Sequence, residues 1–139
     1  MKNIVITLLM TLIPMLASAQ EWIEIGKLES QTLYVYGNIQ DEYGNHLVWE
    51  KITYDTPEAR KQAMNEHGTK YHIFEDRILW CFNSEWSKIC MKSGSSYSKS
   101  GKVLSSYTAP YDDWQYITPE TTGELIRNAA KYIYENPMP

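Results

Sequence analysis

Short stretches in which apolar and polar residues alternate constrain the fold of this 139-residue chain most strongly. One is TLYVY at 32–36, and a longer one is HLVWEKITY at 46–54. A period of two places successive side chains on opposite faces of a β-strand. The turn cluster DEYGN at 41–45 separates the two stretches. Strands joined by a short turn pair with each other, so this region is predicted to form an antiparallel sheet.

Four other segments complete a predicted sheet of about six strands. They are rich in aromatic and β-branched residues, which favour strands. Their ranges are 22–25, 71–74 continued as one long or bulged strand by 77–82, 86–92, and 102–108. The polar stretch SGSSYSKSG at 93–101 is predicted to be a flexible loop before the last of them.

A short helix is predicted near 56–67. Thr56 is a suitable N-cap, Pro57 suits the first helical position, and Gly68 is a typical stop. The few apolar residues of this segment are mostly small, which favours a helix on the surface.

A second helix is predicted to run from Pro119 to about Glu135, with Thr118 as its N-cap. Its apolar residues recur every three to four positions, so one stripe can pack on a sheet. Gly123 lies in its opening turns, where glycine costs about 1 kcal/mol relative to alanine. We predict that the missing Cβ lets the helix approach a facing strand or the Trp114 ring. The predicted class is α+β, an antiparallel sheet with a C-terminal helix packed on one face.

Residues 1–19 have the parts of a secretory signal peptide. Lys2 supplies the positive start, 4–16 are mostly apolar, and the small residues at 17–19 suit cleavage. The apolar run is too short for a membrane span. We therefore expect 20–139 to form one exported domain in the periplasm, on the cell surface or outside the cell.

The charge balance excludes two classes of partner. The chain has 13 lysines and arginines and 17 aspartates and glutamates, for a net charge of −4. Its basic residues are scattered along the sequence. Proteins that bind nucleic acid or anionic membranes carry a clustered basic surface, so neither partner is predicted here.

Cys81 and Cys90 are the only cysteines, and export takes a chain to an oxidising compartment. Both lie in a predicted hairpin. A two-residue turn at 85–86 would place them opposite each other and permit a disulfide. A looser turn at 83–85 would offset them and leave two buried free thiols. A catalytic thiol is disfavoured, because no histidine motif accompanies either cysteine.

No residue is predicted to be catalytic, to bind a cofactor or to hold a metal. The histidines lack the spacing of metal ligands; they are His46, His67 and His72. The acidic pair at 112–113 lies in a turn, where both side chains face water. The serines of 93–100 have neither a nucleophile-elbow motif nor an Asp/His partner pattern. Sequence alone therefore favours a protein that is not an enzyme.

The aromatic content is high for a core of this size, with five tryptophans and eleven tyrosines. Trp and Tyr are side chains that dominate binding hot spots. Trp86, Tyr97 and Tyr107 are predicted to be accessible and to contact a partner; Tyr34 and Tyr36 are also predicted to be accessible. The alternative is that these rings stiffen the sheet by pairing across strands.

The stretch WQYITPETTGELI at 114–126 carries the most specific pattern in the chain. Its characteristic residues are Trp114, Ile117, Pro119, Gly123, Glu124 and Ile126. They resemble the ending of the surface-adhesin protein E family, small exported proteins of Gram-negative bacteria, whose pattern is Trp-x-x-Ile-x-Pro-x-Ser-x-Gly-Glu-x-Leu. Upstream, GKVLSS at 101–106, LVWEKITY at 47–54 and Cys81 resemble strands of that family.

The resemblance implies a six-stranded antiparallel sheet with a C-terminal helix. It also implies binding to host extracellular-matrix proteins or plasminogen, in some cases as a homodimer. In that family a disulfide ties the helix to the sheet, but the helix predicted here has no cysteine. Cys90 would then substitute by pairing with Cys81. The best-known member is a surface lipoprotein, whereas this chain lacks a lipidation cysteine.

Together these features predict an exported, non-enzymatic and adhesin-like binding protein that contacts a protein partner and needs no cofactor. One alternative is a periplasmic structural or stress-related envelope protein without a host ligand. Another is a small secreted inhibitor that blocks an enzyme with the 93–101 loop.

Overall fold

Six strands follow one another along the chain and lie side by side in the same order in the computed structural model, which describes residues 21–136. They are β1 (Ile23–Lys27), β2 (Gln31–Gln40), β3 (His46–Tyr54), β4 (Glu75–Phe82), β5 (Lys88–Tyr97) and β6 (Val103–Thr108). The short strand β7 (Gln115–Tyr116) pairs with the start of β5. Every pairing is antiparallel, which confirms the predicted sheet of about six strands. The predicted signal peptide, 1–19, lies outside the described residues.

The first helix, α1 (Pro57–His67), connects β3 to β4 and has the predicted ends. Thr56 Oγ1 accepts a hydrogen bond from the Ala59 N–H at 3.2 Å, as an N-cap does. Gly68 has a φ of 68°, the left-handed conformation that glycine adopts at low cost after a helix. Local signals were sufficient to place this helix.

The second helix, α2 (Thr122–Glu135), begins later than predicted. Thr118 is not the N-cap and Pro119 is not the first helical residue. Thr121 is the N-cap, and its Oγ1 accepts from the Glu124 N–H at 3.4 Å. The Glu124 carboxylate in turn accepts from the Glu120 N–H at 3.0 Å. This exchange resembles a capping box, in which two backbone donors at the start of the helix are satisfied by side chains.

The predicted loop at 93–101 is largely wrong. Residues 93–97 belong to β5, where they pair with β4 on one side and β6 on the other. Hydrogen bonds on both sides override the low strand propensity of serine and glycine. Only a tight turn remains, closed by the bond from the Ser98 N–H to the Lys102 carbonyl at 2.9 Å. β4 also differs from its prediction, because it begins at Glu75 rather than at 71.

Both helices pack on the same face of the sheet, which we call the helix face. α2 covers a core that contains Val35, Val48, Phe82, Trp86, Ile126 and Ala130. α1 contributes Ala59 and Ala63 to a smaller cluster that contains Tyr54. Val48 and Tyr54 lie six residues apart on β3, so the two helices share one face. The predicted packing of a C-terminal helix on the sheet is confirmed.

Gly123 is not required for that packing. A Cβ atom at this position would lie 3.6 Å from Thr121 Oγ1 and 3.9 Å from Ile89 Cδ1. Both are ordinary van der Waals distances. α2 does face a strand here, as predicted, but a methyl group fits in the space. The predicted close approach, with the Trp114 ring as one partner, is therefore wrong.

Candidate functional site

The face of the sheet opposite the helix face carries aromatic and cationic side chains in register. Tyr34 lies opposite Lys51, which lies opposite Arg77. Directly opposed residues of adjacent strands project to the same side, so these three share one face. We use the name aromatic face for the set Trp22, Tyr34, Tyr36, Trp49, Lys51, Arg77, Leu79 and Tyr97.

The cations of the aromatic face lie against its rings. Lys51 Nζ is 4.5 Å from the centre of the Tyr34 ring and 4.8 Å from that of Trp22. The Arg77 guanidinium is 5.1 Å from the Tyr97 ring and 5.6 Å from Trp22. At these distances the negative face of a ring attracts a cation, which orders the long side chains. The cations and rings therefore form one connected surface.

The two cations of the aromatic face, Lys51 and Arg77, also repel each other. Burial lowers the pKa of the Lys51 ammonium, Glu75 opposes that change, and the nearby Arg77 lowers the pKa further. The Glu75 carboxylate also forms an ion pair with Arg77. Glu75 thus interacts with both Lys51 and Arg77 on this part of the surface.

The three predicted partner-binding residues do not form one site. Tyr97 belongs to the aromatic face and is half-buried. Tyr107 is 53% exposed on β6 but lines a pocket with His67 and Asp76, away from Tyr97. The structure brings none of these three together.

Trp86 was predicted to be accessible, and that prediction is wrong. Only 7% of Trp86 is exposed. Its ring stacks on His46 at 4.0 Å between ring centres, and Arg127 of α2 donates to its carbonyl at 3.0 Å. The β4–β5 hairpin turn packs beneath α2, so the Trp86 ring is part of the hydrophobic core. Tyr34 and Tyr36, also predicted to be accessible, are half-buried on the aromatic face.

Three of the residues that carry the family resemblance, Ile117, Glu124 and Ile126, help to hold α2 in place. Ile117 packs against the main core, and Glu124 completes the cap of the helix. The Glu124 carboxylate also lies 3.5 Å from Arg127, the residue that binds the Trp86 carbonyl. Trp114 is half-buried and Pro119 is exposed before the helix. This segment has a structural role in docking the helix.

Cys81 and Cys90 lie directly opposite each other on β4 and β5, both buried and both free thiols. The connecting turn is longer than the two-residue turn that a disulfide was expected to require, because the Asn83 N–H donates to the Lys88 carbonyl across it at 3.2 Å. The register is symmetrical about 85–86 all the same, so the geometry permits a disulfide. Pairing stays a prediction. Burial raises the pKa of the Cys81 thiol to about 12, which suppresses the reactive thiolate at neutral pH.

Two buried carboxyl groups on the helix face escaped prediction. Asp76 accepts hydrogen bonds from the Tyr54 hydroxyl at 2.6 Å and from Ser96 Oγ at 2.5 Å. Glu50 accepts from Trp80 Nε1 at 2.8 Å. The sequence could have indicated that Glu50 is buried, because it occupies an inward position in the alternating pattern of 46–54. The position of its partners depends on strand register, which the sequence does not show.

The described residues were also compared with the requirements of a metal site and of a membrane-spanning helix. Across residues 21–136, no cluster of three or more His, Cys, Asp or Glu side chains is arranged to hold a metal ion. Neither α1 nor α2, the helices of that same range, is long and apolar enough to cross a membrane.

Comparison with protein-family models, with curated proteins and with solved structures returns no match. The resemblance to the surface-adhesin protein E family therefore stays a prediction from the residues at 114–126 and the upstream strands.

Proposed function

We propose that this chain is a non-enzymatic binding protein whose aromatic face contacts a protein partner. The observation that carries the proposal is the concentration of Trp, Tyr and Arg on the face that α1 and α2 leave uncovered. Such residues contribute most of the binding energy in protein interfaces. The cations of this face favour a partner that presents carboxylates beside apolar groups.

The resemblance at 114–126 supplies the class of partner. It suggests a host extracellular-matrix protein or plasminogen, bound after export, with a homodimer as a further possibility. The envelope-protein alternative keeps the same fold without a host ligand. The inhibitor alternative loses most of its supporting feature, because 93–97 belong to β5 rather than to a loop.

The test is binding of residues 20–139 to immobilised plasminogen and to extracellular-matrix proteins. We expect Tyr34→Ala and Lys51→Ala each to weaken binding about five- to thirtyfold, the loss of about 1–2 kcal/mol that a contributing interface residue gives. Tyr132→Ala and Lys131→Ala change the same residue types on the exposed side of α2 and should leave binding unchanged.

Equal binding by all four variants would contradict a role for the aromatic face. No binding to any of these proteins, together with a purely periplasmic location on cell fractionation, would contradict the host partner. That result would favour the envelope-protein alternative.

A further inference from the structure

A groove lies between the end of α1 and the turn that joins β5 to β6. Its volume is about 920 Å³, within the range of sites that bind small organic molecules. Four apolar side chains line it: Met64, Tyr71, Phe74 and Leu104. The Phe74 ring is held by the Arg60 guanidinium, which lies 4.3 Å from the ring centre. The apolar lining is thus partly ordered before any ligand binds.

Positive charge surrounds this lining on two sides. Lys70 comes from the segment after α1, while Lys99 and Lys102 come from the β5–β6 turn. None of the lining residues is acidic, although the chain as a whole has a net charge of −4. Over the described range 21–136, no ion pair is formed by these three lysines within 4 Å. A local cluster of one sign concentrates ions of the opposite sign, so an anion suits this groove.

The two serines of the groove already have partners. Ser98 Oγ and Ser100 Oγ lie 3.1 Å apart, and Ser98 Oγ also accepts from the Lys102 N–H at 3.1 Å. An extended peptide would need hydrogen bonds for its own backbone groups. An alkyl chain needs none, and the thioether of Met64 adapts readily to a flexible apolar chain.

We infer that this groove, which we call the lysine groove, binds an anionic amphiphile: one alkyl chain that ends in a carboxylate. The chain would lie on the apolar lining, and the carboxylate would lie between the ammonium groups of Lys70, Lys99 and Lys102. The lysine groove shares no residue with the aromatic face, so this inference does not depend on the proposed protein partner.

The test uses decanoate below its micelle concentration, added to residues 20–139 and followed by calorimetry and by NMR. Shifts should concentrate on the residues that line the lysine groove. Lys99→Gln and Lys102→Gln should each weaken binding about fivefold, the effect of one partly exposed charge pair, and raised salt should weaken binding as well. Lys131→Gln removes the same charge from α2 and is the matched control.

Tyr71→Ser tests the apolar lining. Tyr71 is 56% exposed, so its replacement should leave the fold intact while weakening decanoate binding. Thermal melting of each variant checks that the fold is retained.

Two further ligands decide the chemistry. 1-Decanol has the alkyl chain without the charge and should bind more weakly than decanoate. An oligoglutamate peptide has the charge without the chain and should not compete. Equal affinity for decanol, displacement by the peptide, shifts outside the groove or no binding of decanoate would each overturn the inference.

Discussion

Glu50 is a carboxyl group enclosed between the sheet and the residues packed on its helix face. Trp80 donates one hydrogen bond to Oε1, while Oε2 has no hydrogen-bond partner within the described part of the chain. Burial raises the pKa of Glu50, the bond from Trp80 opposes that rise, and the charge of Asp76 adds to it. The folded state therefore favours the protonated carboxyl, which can bear its proton on Oε2.

The pH dependence of stability follows from this shift. Because the pKa of Glu50 is higher in the folded chain than in the unfolded one, the folded chain binds more protons. The contribution of Glu50 to folding stability is fully present below its unfolded pKa of about 4.3. It is lost as pH rises through its pKa in the folded chain. As pH rises above about 4.3, we therefore expect Glu50→Gln to lose less stability than the wild type loses.

The measurement is urea unfolding of both proteins at several pH values. Asp76 lies near Glu50 on β4 and is present in both proteins, so the difference between the two curves reports the replacement of Glu50. A difference that stays constant with pH would contradict the prediction.

Gly123 gives a second prediction for a single residue. Since a methyl group fits at this position, Gly123→Ala should stabilise the protein by about 0.5–1 kcal/mol, through a smaller loss of backbone entropy on folding. Gly68→Ala is the contrasting variant, because Gly68 has a φ of 68° that alanine adopts at a cost. It should destabilise. Thermal or urea unfolding measures both, and a destabilised Gly123→Ala would restore the predicted close approach.

At the scale of the element, the start of α2 depends on Thr121. Thr121→Ala should cost about 1 kcal/mol, because the side chain caps the Glu124 N–H. Thr118 contributes its backbone carbonyl to this turn, as acceptor from Thr121 Oγ1 at 2.6 Å, so Thr118→Ala keeps that bond. Its cost should stay within about 0.5 kcal/mol. If urea unfolding gave the larger loss for Thr118→Ala, the helix would start where the sequence first suggested.

The β4–β5 hairpin supports a prediction about its cysteines. If Cys81 and Cys90 are oxidised after export, the intact mass will be lower by two hydrogens than that of the reduced protein. A crosslink over so short a loop should add about 2–3 kcal/mol to stability, lost on reduction. The double variant with alanine at both positions is the control, since a reductant should not change its stability. An unchanged mass on reduction would establish the free thiols.

At the scale of the whole molecule, prediction succeeded where the signal was local. The alternation of 46–54 predicted β3 in full, and the caps of α1 lie within a few residues of that helix. Trp86 was misplaced because its burial depends on α2, which is distant in sequence. Residues 93–97 were misplaced because their serines and glycine are poor strand formers, and their pairing with β4 and β6 overrides that preference. Tyr97 was predicted as a contact residue. The alignment of the other aromatic-face residues with it depends on the register between strands, which the sequence does not show.

The order of the strands has a consequence for how the chain folds. β1 to β6 pair in the order in which they are synthesised, so most loops to be closed are short and pairing can proceed from the N-terminus. α2 comes last, yet it packs on β1 and β2, the first strands made. The main core is therefore complete only when α2 has docked, and that contact joins segments of the described chain that are far apart in sequence.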